Sequence, residues 1–207
     1  LPIYKHGKKD HIIPFEQVKQ KVIDANLSIS EESFFWILYY CGVRKSEAYE
    51  RVASDFKITV TRIIIDFHER KKHGAKVPPL RLHLSWHGMN KLEYIVQEAK
   101  KRKPIKKAIY TYVDKKRVRE IRQDRWVFPK IQSTKAWQIV KGVLGKEYYP
   151  HFLRLNRLTE IGRDPTASLT RLKSFSGIKS TTALDVYLGT SEKEQEKAIE
   201  FMDRQYS

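Results

Sequence analysis

The sequence has a single cysteine, Cys41, among its 207 residues. One thiol cannot form an intramolecular disulfide, and this shortage fits a reducing compartment. Long apolar runs are also missing, since none approaches the roughly 18 residues that a membrane-spanning helix needs. The N-terminus, LPIYKHGKKDHIIP, lacks the apolar centre of a signal peptide and does not begin with Met. We therefore expect a trimmed or internal fragment of a protein that acts inside a cell.

Acidic residues are few compared with basic ones. The chain has 41 Lys and Arg against 24 Asp and Glu, a formal net charge of +17, and its pI is about 9.8. An excess of this size indicates a polyanionic partner, because each neutralised phosphate releases condensed counterions. Nucleic acid is the favoured partner. A basic surface that only keeps the chain soluble, or one attracted to anionic lipid, is the alternative.

Hydrophobic residues make up 41% of the chain, which is enough for one sizeable core. We predict a single domain over residues 1–207. Apolar residues recur at helical spacing through most of it, and Ser28 or Ser30 is suited to cap the second helix. The predicted helices cover residues 14–26, the segment SISEESFFWILYYCG, and residues 45–52, 88–103, 133–144, 151–161, 165–175 and 181–187, with a last amphipathic helix in the tail 189–207.

Residues 57–85 form the one segment with a clear strand pattern. Two runs rich in β-branched residues flank the turn KKHGAK, and we predict about three short strands there. RWVFP, at residues 125–129, is a candidate for one more short strand. The basic stretches KKRKPIKK and DKKRVREIRQDR are interpreted as a solvated or DNA-facing surface. The predicted fold is mainly α with a small antiparallel β-sheet (α+β).

Three separated motifs contain residues suited to phosphate chemistry. GVRKSEA has Arg44 where a buried helix meets a short one, and HFLRLNRLTEIG has His151 and Arg154 on one helical face. SGIKSTTALDVYLG ends a Ser/Thr-rich turn with Tyr187, and 187 − 154 = 33 positions separate Arg154 from it. In this order, the motifs resemble the catalytic domain of the tyrosine recombinase (phage integrase) family. That family has G-(L/V)-R-x-S-E-(L/A), a later H-x-x-R, and a nucleophilic Tyr about one helical hairpin further on.

The resemblance implies a role for each of these residues. Tyr187 attacks a DNA phosphodiester and holds the strand as a phosphotyrosyl ester. Arg44 and Arg154 hold the non-bridging oxygens of the phosphate, where negative charge develops. His151 accepts or relays the proton of the phenol. The family mechanism needs no metal or other cofactor.

The family supplies a proton to the leaving 5′ oxygen from a lysine in the turn of a β-hairpin. KKHGAK is that turn here, and we assign the role to Lys72, with Lys71 and Lys76 as alternatives.

One departure from the family concerns the position nine residues before the tyrosine, which commonly holds His or Trp after a Gly. Here Ile178 follows Gly177, and Ile cannot donate a hydrogen bond to phosphate. Lys179 is a possible substitute.

The basic clusters also provide candidate DNA contacts, namely Lys100, Lys101, Arg102, Lys103, Lys106, Lys107, Arg171 and Lys173. The resemblance implies double-stranded DNA as the partner and a homotetramer on two DNA sites. It implies that full-length relatives carry an N-terminal core-binding domain, which we expect to be absent here, and that the tail 189–207 docks on a neighbouring protomer. It further implies action in the cytoplasm or on the nucleoid, or in the host cytoplasm if a virus or plasmid encodes the protein.

Three other functions remain as alternatives. A type IB topoisomerase or a telomere resolvase uses the same Arg, Lys, Arg and Tyr roles, and an assay of supercoil relaxation against strand exchange separates them from a recombinase. A non-catalytic DNA-binding protein of the same fold would not need the intact set Arg44, Arg154 and Tyr187. A ribosomal or other RNA-binding basic protein explains the charge but not the three motifs.

Overall fold

The structure, a computed structural model, describes residues 13–67, 79–113, 116–162 and 169–176. A 3-10 turn at Ala53–Asp55 precedes the first strand, and the mainly α fold with small antiparallel sheets is confirmed. The helices and strands in these ranges are α1 (Phe15–Asp24), α2 (Ile29–Cys41), α3 (Lys45–Tyr49), β1 (Phe56–Ile58), β2 (Arg62–Ile65), β3 (Leu80–His83), α4 (Met89–Lys101), β4 (Ile105–Val113), β5 (Lys116–Asp124), α5 (Ser133–Leu144), α6 (Pro150–Gly162) and α7 (Leu169–Ser176).

Helix α2 runs through the core of the domain. Ser28 caps its N-terminus in a capping box with Glu31, as the sequence predicts. Every residue from Glu32 to Cys41 is buried, and α2 contacts α3, α4, α5 and α6. A helix that is apolar on most of its faces is stable only when other elements surround it, which accounts for this position.

Helix α4 approaches α2 so closely that its N-cap has no room for a side chain. Gly88 has φ of 78°, and a Cβ atom there would lie 2.2 Å from Cδ1 of Trp36. Glycine is the residue that adopts this left-handed conformation without steric cost. Trp36 also stacks on Tyr40, with ring centroids 5.4 Å apart. The glycine therefore allows α4 to pack directly on the aromatic face of α2.

Strands β1, β2 and β3 form an antiparallel sheet in that order. Ile63 and Ile65 of β2 are fully buried, while Arg62 is exposed, which is the alternation of a strand with one face on the core. The predicted β region is confirmed in its described parts. The KKHGAK turn, with Lys71, Lys72 and Lys76, lies outside the described residues.

A second β-hairpin lies where the sequence suggested only a basic surface. Strands β4 and β5 have nine residues each and pair antiparallel from Ile105↔Asp124 to Val113↔Lys116. The prediction that residues 57–85 hold the only clear β structure is therefore wrong. The strand predicted at RWVFP is reduced to one isolated bridge, between Trp126 and Val52.

Lys107, a predicted DNA contact, is instead buried at the base of this second hairpin. Its Nζ donates hydrogen bonds to the carbonyl oxygens of Tyr49 (2.6 Å) and Phe128 (2.9 Å). The ammonium also lies against the rings of Tyr49 and Trp126. Burial lowers the pKa of Lys107 to about 8, although the charge of Glu50 acts in the opposite direction. The predicted role is wrong for this residue, because its side chain is enclosed and bound to main-chain carbonyls.

The C-terminal helices agree with the predicted ones within a few residues. Helix α5 has the predicted bounds, α6 extends the prediction by one residue at each end, and the described part of the next helix is α7. The helices predicted at 181–187 and in the tail 189–207 lie outside the described residues. None of the helices within the described ranges is long and apolar enough to cross a membrane.

Candidate active site

Arg44 lies at the junction of α2 and α3, where it is the N-cap of α3. Its backbone N–H donates to Oε2 of Glu47 at 2.7 Å, and its Nη1 donates to Oε1 of the same carboxylate at 3.3 Å. The side chain of Arg44 is 69% exposed, whereas that of Glu47 is 6% exposed. A buried carboxylate thus fixes the main chain of Arg44 while its guanidinium faces solvent.

Arg154 is attached to the same junction from α6. It is buried, and its Nη1 donates a hydrogen bond to the carbonyl oxygen of Gly42. Gly42 ends α2 with a left-handed φ of 54°, and a Cβ atom there would lie 3.4 Å from Cε1 of Phe175. Because Gly42 is two residues before Arg44, this bond joins the second candidate arginine to the turn that bears the first.

His151 completes a cluster with the two arginines. It lies near the start of α6, in the same motif as Arg154, with much of its surface exposed but its ring partly shielded from water. Burial of the ring lowers the pKa of His151, and the positive charges of Arg154 and Arg44 lower it further. Because Arg154 binds the carbonyl oxygen of Gly42, its motif lies beside the turn that bears Arg44, and both arginine charges therefore act on His151. A histidine with a lowered pKa is neutral at pH 7 and is able to accept a proton.

A polar network fixes α6 against α2. Oη of Tyr39 donates to Oε1 of Glu160 at 3.1 Å, and Nη1 of Arg157 donates to Oε2 of the same carboxylate at 3.3 Å. Asn156 also donates to Oε1 of Glu160, at 3.4 Å. Burial, together with the charge of Glu160, raises the pKa of Tyr39, so its hydroxyl stays protonated as a donor. The Tyr39–Glu160 bond joins α6 to α2, while the bonds from Asn156 and Arg157 lie within α6 and hold the Glu160 carboxylate in place.

A basic and aromatic patch borders the cluster. Nζ of Lys45 and Nζ of Lys141 each lie 5.4 Å from the ring centroid of Trp137. Trp137 also stacks on Tyr149, with centroids 5.7 Å apart and the rings tilted by 25°. Lys45 follows Arg44 in the chain, so the patch includes the first residue of the helix that Arg44 caps. Cations combined with aromatic faces suit contacts with a nucleic-acid strand.

The remaining candidate DNA contacts differ in exposure. Lys100, Lys101, Lys103 and Lys106 are exposed, and Arg102 and Lys173 are partly exposed. The side chain of Arg171 is outside the description, as are Tyr187, Gly177, Ile178 and Lys179. Within the four described ranges, His, Cys, Asp and Glu form no group of three or more that could hold a metal ion.

The fold is that of the tyrosine recombinase catalytic domain, which confirms the resemblance at the level of structure. The XerH site-specific recombinase bound to its difH substrate, in a pre-cleavage complex, matches with a TM-score of 0.64 and 15% identity, over 90% of this chain and 53% of that one. The Tn1549 transposon integrase in complex with transposon right end DNA matches with a TM-score of 0.62 and 14% identity, over 95% of this chain and 66% of that one.

The XerA recombinase matches with a TM-score of 0.60 and 12% identity, over 100% of this chain and 67% of that one. The present chain spans about half the length of the XerH chain and two thirds of the XerA chain. At these identities the likeness is one of fold. No protein-family model matches the sequence, and no curated protein matches it.

Proposed function

We propose that this chain is the catalytic domain of a site-specific DNA recombinase or integrase. The observation that carries the proposal is the hydrogen bond from Arg154 to Gly42, which brings the motif of His151 and Arg154 to the turn that bears Arg44, within the fold of tyrosine recombinases. Two guanidiniums remain charged at any working pH and match the geometry of phosphate oxygens. Such fixed charges stabilise the negative charge that develops in phosphoryl transfer.

The proposed reaction is a transesterification in which Oη of Tyr187 attacks the phosphorus of the scissile phosphodiester. The P–O5′ bond breaks, and a 3′-phosphotyrosyl ester and a free 5′ hydroxyl are formed. The phenolic proton passes to neutral His151. Because the ester conserves the energy of the phosphodiester, the reverse attack by a 5′ hydroxyl rejoins DNA without an external energy source.

The leaving 5′ oxygen needs a proton, and we assign its donor to the KKHGAK turn. Lys72 is the proposed general acid, with Lys71 and Lys76 as the alternatives. An ammonium on a hairpin tip is able to reach a substrate and is acidic enough to protonate a developing alkoxide. Lys179 is the proposed substitute for the phosphate contact that Ile178 cannot make.

Double-stranded DNA is the proposed substrate. The +17 charge supports this, and so does the likeness in fold to the XerH recombinase bound to its difH substrate and to the Tn1549 integrase in complex with transposon DNA. The chain spans about half of the XerH chain. We therefore propose that it works as part of a larger protein. We propose that this larger protein includes an N-terminal DNA-gripping domain and acts as a tetramer, with the tail 189–207 docked on a neighbouring protomer.

Covalent trapping tests the proposed function. The chain is incubated with nicked suicide duplexes whose sequence is randomised around the nick, and adducts are separated on a denaturing gel. The wild type is expected to form an adduct and Tyr187→Phe none, with DNA affinity nearly unchanged, because only the attacking oxygen is lost. Tyr94→Phe, at an exposed position of α4, is the matched control and retains the adduct. An adduct with Tyr187→Phe, or none with the wild type, would contradict the proposal.

A further inference from the structure

The β4–β5 hairpin, called the ribbon below, has a strong excess of positive charge. Residues 103–125 contain nine Lys and Arg against three Asp and Glu, a net charge of 9 − 3 = +6. Two paired strands of nine residues are about 30 Å long at roughly 3.4 Å per residue. The catalytic cluster described above does not use this element.

The register of the ribbon divides its side chains between two faces. Cross-strand partners share a face, so the pairs Lys106↔Gln123 and Tyr110↔Arg119 lie on the face opposite to Lys107. Lys107 is 4% exposed, whereas the members of these two pairs are all exposed. The side of β4 that bears Lys107 therefore packs on the domain. On the other side, Lys106, Arg119 and Gln123 present cations and an amide to solvent, while the partly exposed Tyr110 lies beside residues 130–138.

The base of the ribbon is fixed by several contacts with the domain. Lys107 donates to two main-chain carbonyls, and Nε1 of Trp126 donates to the carbonyl oxygen of Ile105 at 2.8 Å. Ile109 is buried with Val52 and Trp126 in a small apolar cluster. Beyond Ile109, four residues of β4 extend about 14 Å further, which exceeds the roughly 8.5 Å depth of the major groove. The ribbon thus has a fixed base, and its strands are long enough to reach into a groove.

Its chemistry favours nucleic acid over a second copy of the chain. Lysine and arginine bind phosphates, and Arg, Lys and Gln are side chains that read base edges in the major groove, which admits a two-stranded β-ribbon. On the same face as Lys106, Ile121 is 56% exposed and offers apolar surface. A second copy carries the same +17 charge, so a pairing of ribbons would bring like charges together.

We infer that the ribbon is a second DNA-binding element, which inserts into a groove of the duplex beside the cleavage position. The inference rests on the proposed function in taking duplex DNA as the substrate. Lys107 ties the ribbon to the carbonyl of Tyr49, the last residue of α3, and Arg44 is the N-cap of that helix. Because α3 has five residues and is about 8 Å long, a duplex held at Arg44 passes within reach of the ribbon.

The test removes two exposed cations from the outer face. Lys106→Ala combined with Arg119→Ala is compared with Lys19→Ala combined with Lys21→Ala, which removes the same charge from α1. Affinity for a mixed-sequence duplex of about 30 base pairs is measured by fluorescence anisotropy over a range of salt. The ribbon variant is expected to bind about tenfold more weakly or worse, with a log–log salt slope about 2 smaller in magnitude. The control keeps the wild-type slope.

An affinity and a slope equal to those of the control would overturn the inference. The same holds if the ribbon variant only abolishes self-association, measured by sedimentation without DNA, because the face would then bind a second copy. The covalent adduct assay separates this outcome from the proposed function. If the ribbon variant has a reduced slope but the wild type forms no adduct, the ribbon is a DNA contact and the catalytic proposal is contradicted. If the wild type forms an adduct but the ribbon variant keeps the wild-type slope, only the inference about the ribbon is contradicted.

Discussion

Nη1 of Arg154 donates a hydrogen bond to the carbonyl oxygen of Gly42, two residues before Arg44 in the chain. This contact joins α6 to the end of α2, and it makes the two candidate phosphate ligands parts of one structural unit. Loss of Arg154 therefore removes one guanidinium and also releases the turn that orients the other.

This coupling predicts non-additive effects in the arginine variants. Arg44→Ala and Arg154→Ala are each expected to slow single-turnover cleavage by about a hundredfold or more, because each removes stabilisation of developing charge. The double variant should be much less impaired than the product of the two effects, since loss of Arg154 already releases the turn that positions Arg44, and residues coupled through a backbone shift are not additive. Cleavage at a near-wild-type rate by either single variant would exclude that residue from the site, and a strictly multiplicative double variant would exclude the coupling.

The electrostatic cluster predicts a shift in the titration of His151. Burial, Arg154 and Arg44 all lower its pKa, so the ring stays neutral down to a lower pH than an ordinary histidine. Arg44→Ala removes one positive charge, and the pKa of His151 should rise, moving the acid limb of the cleavage profile to higher pH. An NMR titration of the histidine Cε1–H signals measures the shift. His87, whose pKa is lowered by burial and not by these arginines, is the internal control and should not move.

Lys72, as the proposed acid, predicts a specific chemical rescue. Replacing the bridging 5′ oxygen with sulfur gives a thiolate, which leaves without protonation. Lys72→Ala should cleave ordinary DNA slowly and the sulfur substrate nearly as fast as the wild type does. Lys71→Ala and Lys76→Ala are the matched controls from the same turn. A variant that is equally slow on both substrates would show that Lys72 only binds DNA, and rescue of a control variant instead would identify the true donor.

The buried Lys107 predicts a stability that depends on pH. Its pKa is lowered from 10.5 to about 8 in the folded chain, so between these values the unfolded chain binds a proton that the folded chain has released. The free energy of unfolding should therefore rise with pH across this interval, by about 3 kcal/mol at most. Urea denaturation of the wild type and of Lys107→Met between pH 7 and pH 10.5 measures the difference. Lys101→Met, at the exposed end of α4, should retain the wild-type dependence, and a flat difference for Lys107→Met would contradict the prediction.

The sequence predicts those helices and strands whose pattern of apolar and polar residues matches the burial of their side chains. Ser28 and Glu31 have the spacing of a capping box, and the run that follows is too apolar for a surface helix, so the structure agrees with both predictions. The arginine motifs could also be identified from the sequence, because their spacing resembles that of a known family. The hydrogen bond between Arg154 and Gly42 could not be predicted, since it joins residues 112 positions apart and involves a main-chain carbonyl that any residue possesses.

The sequence did not predict the ribbon, because lysines and arginines at successive positions obscure the alternation of apolar and polar residues that is typical of a strand. Lys106 and Lys107 are neighbours of the same type, yet one is exposed and the other buried. Lysine is almost never fully buried, so the sequence favoured two solvated side chains. The available signal was aromatic and apolar: Ile105 and Ile109 lie on the same side of β4 as Lys107, and Trp126 follows β5. Only the tertiary contacts reveal that Lys107 meets two carbonyls there.

The burial of α2 has a consequence for inactivation by heat. The carbonyl that binds Arg154 terminates a helix whose last ten residues are all enclosed by the core. Regions with many buried contacts open only when the whole domain opens, whereas exposed loops open more readily. The Arg154–Gly42 contact thus belongs to a part of the domain that opens only with the core, although the Arg44 side chain itself is exposed. We therefore expect the loss of this contact on heating to coincide with melting of the tertiary structure.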